Sequence, residues 1–370
     1  MTARSSPPAR PAARPTVSVL VPSHNHAGFA AAAIDSVAGQ TQPPDELLVI
    51  DDGSTDDSPA VIERALAHAS GIRTSLAVRH CRGISETRND LAAAAQGDVL
   101  AFLDSDDRYA PTRLARLLDR PIDPDRFLAF SGVAFLVDGN AEGGQPAGAV
   151  RGSHAWLPVA YAARLAEAAS LPTAGFALVR SNLAITASNI VVGRGLFARV
   201  GGFTPGLAIS QDWDFLLRCL PFAEPVFVPE RLVEYRIHAT NTSRDARGTA
   251  RGEVAALFAT FGAACAAATD NPLCPGPANW PRFFRLFAAA AEMPDGSRLA
   301  DHLPPQALAA PQPDATRPAR DASAIARLVA LSRRGLGQAA EMPGGAAAPA
   351  TTATLESLLD ACRRGWEGQA

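Results

Sequence analysis

The stretch Val99 to Asp107, Val-Leu-Ala-Phe-Leu-Asp-Ser-Asp-Asp, decides how the rest of this chain is read. An apolar run of strand length ends in Asp104, Asp106 and Asp107. A buried strand that releases clustered negative charge at its end invites a cation. Hard divalent ions such as Mg²⁺ or Mn²⁺ take oxygen ligands, commonly one or two carboxylates plus substrate phosphates. The competing reading is a polar loop that caps a core strand, because Asp-rich turns after strands are common. The surrounding sequence separates the two.

Upstream, Val17 to Val21 reads as a buried strand stopped by Pro22 and the polar turn Ser23-His24-Asn25-His26. Ala30, Ala33, Ile34 and Val37 follow at helical spacing. Leu47 to Ile50 is a second strand running into Asp51-Asp52-Gly53-Ser54-Thr55-Asp56, after which Ser58 is placed to cap a helix with Pro59 at its first position. A strand near Thr74 to Arg79 and a helix from Ser85 precede the opening stretch. Alternating strands and helices of this kind build a parallel sheet covered on both faces. Ligands collect at the carboxyl ends of such strands. The polar clusters at Pro22–Asn25, Asp51-Asp52 and Asp104–Asp107 should therefore face one crevice. Without a Gly-x-Gly-x-x-Gly or Walker-type loop after the first strand, a dinucleotide-dependent dehydrogenase and a P-loop enzyme are disfavoured.

Downstream, strands are expected over Phe127 to Val137 and Ile185 to Val192, with a polar loop (Asp138 to Gly148) and a helix near His154 to Ala169 between them. Gln211-Asp212-Trp213-Asp214 opens a short helix, and Val233, Tyr235 and Ile237 alternate as in a strand that ends at His238. From about residue 250 the pattern turns helical, and beyond Glu292 it becomes Ala/Pro/Gly-rich, with helices expected near Ser323 to Arg333 and Leu355 to Trp366. The expected organisation is an unstructured segment 1–15, a catalytic domain 16–245, a helical extension 246–295 and a partly flexible tail 296–370.

Composition narrows the class. With 370 residues and a formal net charge of -3, nothing marks a nucleic-acid or anionic-membrane partner. The five cysteines form no Cys-x-x-Cys pair, which argues against a disulfide framework or zinc knuckle and suits a reducing cytosol. The arginines near the N-terminus lack an apolar run behind them, so neither a signal peptide nor an anchor is read there. A cytoplasmic protein is expected, with peripheral membrane attachment through a partner left open.

In order along the chain, Val-Ser-Val-Leu-Val-Pro-Ser-His-Asn (17–25), Ile-Asp-Asp-Gly-Ser-Thr-Asp-Asp-Ser (50–58), Gly83 with Arg88-Asn89, Phe-Leu-Asp-Ser-Asp-Asp (102–107), Gly-Gly-Phe (201–203), Gln-Asp-Trp-Asp (211–214) and Tyr-Arg-Ile-His (235–238) resemble the family 2 glycosyltransferases of the GT-A fold. The resemblance implies an α/β fold with a Rossmann-like, mostly parallel sheet flanked by helices. It also implies inverting transfer of a sugar from a nucleotide-sugar donor, UDP- or dTDP-linked, to a carbohydrate, lipid-linked or protein acceptor, with Mn²⁺ or Mg²⁺ as cofactor. Carried over by position, Pro22 and Asn25 lie in the loop touching the nucleotide, Asp52 accepts the base N–H, and Arg88 lies near base and diphosphate. In the Asp104-Ser105-Asp106 motif, which holds the donor and its metal, Asp104 faces the ribose and Asp106 ligates the metal with Asp107 close by, while His238 completes the metal shell and Asp212 matches the general base. Gln211 departs from the family's usual Glu, which bears on the acceptor.

Each role has a plainer counterpart. Asp107 suits a cap on the turn into Tyr109, and Asp212 a helix N-terminus. Trp213 suits core packing as well as sugar stacking, and His24 and His26 read as ordinary loop histidines. Among other activities, a nucleotidyltransferase would need a basic Gly-rich loop after the first strand, and an aspartyl phosphatase a catalytic Lys. A non-catalytic nucleotide-sugar-binding or assembly subunit is the alternative from another class.

Overall fold

The computed structural model describes residues 14–137, 156–238, 241, 247–267, 269–281, 283–293 and 296–308. The polar loop Asp138 to Gly148 and the two expected tail helices lie outside the described residues. So does most of the expected N-terminal segment, although Arg14 already pairs with Asp45.

The chain opens with β1 (Val17–Ser23), α1 (Ala30–Ala38), β2 (Glu46–Asp51), α2 (Ser58–Leu66), β3 (Arg73–Val78), α3 (Ile84–Ala94) and β4 (Val99–Phe102). Then come β5 (Arg108–Tyr109), α4 (Arg113–Leu118), β6 (Leu128–Val137), α5 (Trp156–Ala168), α6 (Ala174–Arg180), β7 (Val191–Gly193), α7 (Arg194–Val200), α8 (Gln211–Cys219) and β8 (Val226–Ile237). Helices α9 (Arg247–Cys265), α10 (Phe283–Ala290) and α11 (Pro305–Leu308) close the described chain. The strands form one eight-stranded sheet in the order β3-β2-β1-β4-β7-β6-β8-β5. β1 pairs in parallel with β2 and β4, β7 and β5 run antiparallel to their neighbours, and β6 and β8 are parallel.

Period-two alternation sorts the strand residues between two cores. Val17, Val19, Val21, Leu47, Val49, Val99, Ala101 and Leu103 face α1, α2 and α4 on one side. Leu20, Leu48, Ile50, Leu100 and Phe102 face the other, together with Phe203, Phe215 and the aromatic residues of α10. Between the strands, buried Glu46 accepts from Ser18, from Arg73 and from the Gln96 N–H.

Two expectations need correction. Ile185 to Val192 is not one strand: Thr186 caps a 3₁₀ turn, Ala187–Asn189, and only Val191–Gly193 pairs with the sheet. The apolar periodicity there was ambiguous, and Ile185 takes a positive φ of 71°, which no strand residue adopts. Ser58 does not cap α2; it is the first helical residue, its hydroxyl donating to Asp56 and accepting from the His26 N–H. The helical segment packs onto the sheet rather than standing off it. Phe258, Phe261, Phe283, Phe287, Leu299, Leu303 and Ala307 belong to the same core as Leu20 and Phe102. Cys265 and Cys274, nine residues apart in sequence, meet there with their sulfurs 3.4 Å apart as buried free thiols. No described helix is long and apolar enough to cross a membrane.

Candidate active site

At the carboxyl ends of β1, β2 and β4 lies a cavity of about 590 Å³, closed on its far side by the start of α8 and the end of β8. Pro22, Asn25, Asp52, Arg88, Asp104, Ser105, Asp106 and Asp212 all line it. His238 reaches the same place through Asp106, its Nε2 lying 3.0 Å from Oδ2 of that carboxylate. The crevice expected from the strand grammar thus gathers residues from 22 to 238.

The loop after β1 is built by the loop after β2. Asn25 sits at φ 54°, a left-handed conformation that Asn tolerates better than most residues. Its N–H donates to Ser54 Oγ, its Oδ1 accepts from the Thr55 N–H, and the Ala27 N–H donates to Asp56. Asp51 in turn accepts from the Ser54 N–H and hydroxyl. Most of the acidic run 51–56 therefore braces this loop, and Asp52 is the one of its carboxylates that lines the cavity. Asp52 is itself engaged, accepting from Arg79 Nε and from the N–H groups of Arg82 and Gly83. Burial works against ionisation there, but these donors outweigh it and hold the carboxyl below its usual range.

Three carboxylates meet at the end of β4, and each has different surroundings. Asp104 accepts from Arg88 Nη2 at 2.6 Å. Asp106 is buried, which alone would raise its pKa, yet the hydrogen bond with His238 and the neighbouring imidazoles bring it below the ordinary value. Nε2 of His26 lies 3.9 Å from the same Oδ2, and one donor atom from each of His26, Asp106 and His238 falls within 4.8 Å of the others. A carboxylate with two imidazoles at this separation fits a divalent ion. Asp107 is wholly enclosed, accepting from Ser188 Oγ, Thr186 Oγ1 and the Arg236 N–H. Burial, then its two acidic neighbours, push its carboxyl well above the usual value. It locks this corner rather than capping the turn into Tyr109, whose N–H donates to Ser36. Ser105 turns its hydroxyl to His26 Nδ1, 2.8 Å away.

Across the cavity, Asp212 lies in the first turn of α8, 7% exposed. It accepts from Asn182 Nδ2 at 2.9 Å and from the Trp213 N–H at 2.7 Å. Burial dominates and pushes its pKa up to about 6. Beside it, Gln211 Oε1 is buried and has no partner among the described residues. Arg88 is likewise buried, and its Nε and Nη1 have none.

Two motif residues are occupied within the fold. Asn89 clamps the Gly-Gly-Phe turn, donating to the Phe203 carbonyl and accepting its N–H. A Cβ on Gly202, at φ 71°, would meet Asn89 Oδ1 at 2.4 Å, which is why that turn needs glycine. Trp213 is core, with Nε1 donating to the Leu178 carbonyl and its ring edge-on to Phe258. Asp214 pairs with Arg218 and Thr204. The sequence reading passed over Thr186, Ser188 and buried Arg113. The guanidinium of Arg113 donates to Ser131, Asn189 and the Ser188 carbonyl behind Asp107. An arginine at the start of a short helix that carries a second one, Arg116, gives no sign of such a role.

Residues 18–149, which carry the first four strands and the acidic motif, match the model of glycosyl transferase family 2. That match covers a little over a third of the chain. An uncharacterized glycosyltransferase of Nostoc sp. is 36% identical over 103 residues, 28% of this chain and 32% of the relative. One from Haemophilus influenzae is 26% identical over 234 residues, 63% of this chain and 71% of the relative. This chain thus spans about a third of the first relative's length. Among solved structures, a mannosyltransferase from Pyrobaculum calidifontis, in complex with GDP-Man and Mn²⁺, superposes with a TM-score of 0.53 at 19% identity, covering 97% of this chain and 89% of that one. At that identity the likeness is one of fold, and it extends past the stretch that matches the family model.

Proposed function

We propose that the chain transfers a sugar from a nucleoside diphosphate sugar to an acceptor hydroxyl with inversion, using Asp212 as the general base. The observation that carries this reading is one cavity that gathers Arg88, Asp104 and Asp106 at one end and, across it, the Asp212 carboxyl, whose pKa burial pushes up to about 6. A base tuned near the working pH combines a useful ionised fraction with good proton affinity.

In this reading Arg88, with two unpaired donors, holds the diphosphate, and Asp104 fixes the guanidinium while facing the ribose. Pro22, Asn25 and Asp52 border the base, for which UDP- or dTDP-linked donors are the first to test. Asp106 and His238 would hold Mn²⁺ or Mg²⁺, which when bound supplies Lewis-acid stabilisation of charge on the departing diphosphate. Asp212 takes the acceptor's hydroxyl proton, the freed oxygen pair bonds to the sugar C1, and the C1–O bond breaks with its electron pair leaving on the diphosphate. Gln211 Oε1 accepts from a second hydroxyl of the acceptor, a bond that an ionised Glu would make with a full charge.

The test is a donor screen followed by turnover. UDP-, dTDP- and GDP-sugars are ranked by thermal shift with Mn²⁺, and donor hydrolysis or transfer is then measured for the wild type and Asp212→Asn. The proposal expects the variant to bind nucleotide normally and to lose about 10² to 10⁴ in rate. Equal nucleotide binding without turnover in either protein would favour the non-catalytic subunit instead.

A further inference from the structure

The loop after β1 contains two histidines, and the structure treats them differently. His24 is spoken for: Nδ1 lies 3.0 Å from the Asp52 carbonyl and Nε2 3.1 Å from Asn25 Nδ2. His26 has Nδ1 on Ser105 Oγ and turns Nε2 toward Asp106, 3.9 Å from its Oδ2. We infer that His26 is a third protein ligand of the divalent cation, making the site one carboxylate and two imidazoles, His26, Asp106 and His238. This rests on the reading that Asp106 and His238 hold a cation at all.

Three features carry it. Ligand atoms about 2.0–2.2 Å from one ion stand about 3 to 4 Å from each other. The two separations from Asp106 Oδ2, 3.0 Å to His238 and 3.9 Å to His26, fall in that span. Secondly, a metal-binding imidazole characteristically donates its other ring N–H to a fixed partner, which sets the tautomer and the ring's direction. Ser105, 1% exposed, is that partner, and this gives the middle residue of the Asp-Ser-Asp motif a purpose of its own. Thirdly, the ring is held before any ion arrives. The His26 N–H donates to Ser58 Oγ, the flanking residues are tied to Ser54, Thr55 and Asp56, and Phe29 packs against both imidazoles at 5.9 and 4.8 Å.

The donor set has a chemical consequence. Mg²⁺ favours an all-oxygen shell, whereas imidazole nitrogen favours first-row transition ions. With two imidazoles, the free protein should take Mn²⁺ or Co²⁺ well ahead of Mg²⁺ before any nucleotide is present.

The experiment uses the full chain, stripped of metal, labelled with ¹⁵N-histidine and loaded with Mn²⁺. Electron–nuclear double resonance of the bound ion should resolve two histidine nitrogens in the wild type and one in His26→Ala. Titration followed by the free-Mn²⁺ signal should show His26→Ala weakening Mn²⁺ by about tenfold or more, with Mg²⁺ affinity changed much less. The wild-type spectrum needs no variant, so a folding defect in His26→Ala leaves the inference testable. One nitrogen in the wild type, or unchanged Mn²⁺ affinity in a folded His26→Ala alongside its loss in His238→Ala and Asp106→Asn, would overturn the role of His26 and leave the two-ligand reading intact. Wild-type Mn²⁺ affinity in all three variants would remove both.

Discussion

The two ends of the cavity bury carboxylates by opposite means. At the end of β4 the charge is matched: Asp104 has the Arg88 guanidinium, and Asp106 has two imidazoles within reach. At the start of α8, Asp212 is more deeply enclosed than either and, among the described residues, receives a side-chain amide and one backbone N–H. Neutral donors recover part of what desolvation costs, whereas a nearby cation recovers more. The first end holds Asp106 below the ordinary value while enclosed Asp107 beside it lies well above, and the second leaves a carboxylate near the point of accepting a proton.

The largest expected effect breaks the second end. Asp212→Asn should lower turnover by about 10² to 10⁴ with little change in nucleotide affinity, as read by kcat and calorimetry. Breaking the support of the first end comes next. Arg113→Leu would strand Asn189, Ser131 and the Ser188 carbonyl in a buried pocket and should cost about 2–4 kcal/mol in chemical denaturation.

The same Asp212→Asn variant tests the contrast by its stability. A folded pKa of about 6 lies above the ordinary 3.8, so ionised Asp212 costs stability. That cost is complete above pH 6 or so and fades as pH falls toward the unfolded value. The variant should therefore be more stable than wild type by about 2 kcal/mol at pH 8, with the gain gone by about pH 4. In activity, the wild-type kcat/KM should fall about tenfold per pH unit below about pH 6, and the variant's residual rate should lack that limb. The smallest change sharpens the comparison. Asn182→Ala removes one of the two donors to Asp212, so the acidic limb should move upward by about half to one pH unit without loss of fold.

Where function depended on neighbours in sequence, the chain disclosed it. The apolar runs Val17–Val21, Leu47–Ile50 and Val99–Leu103 read as buried strands, and the structure pairs all three side by side in one sheet. Asp104 to Asp107 announced themselves by standing together after an apolar run. Other features depend on pairings across great separations. Asn89 and Phe203 are 114 residues apart, and nothing local says that the Arg-Asn and Gly-Gly-Phe motifs form one unit. His26 and Ser105 are 79 apart, so the histidine reads as loop filler until the fold brings them together. Strand β5, with two residues, is too short to leave a periodic trace. Around Ile185 an apolar run was mistaken for a strand because hydrophobicity alone does not reveal a backbone of positive φ.

The Phe176 ring shows what the shared core means for the chain's freedom to change. It is surrounded edge-on by Trp280, Phe283 and Phe287, all from sequence beyond the stretch matching the family model. A polypeptide ending near residue 245 would leave Phe176 and the core face around it bare to water and would be expected to aggregate. Any lineage that swaps its C-terminal helices to meet a new acceptor must bring a replacement roof of similar shape, so this half of the molecule is open to exchange only as a whole.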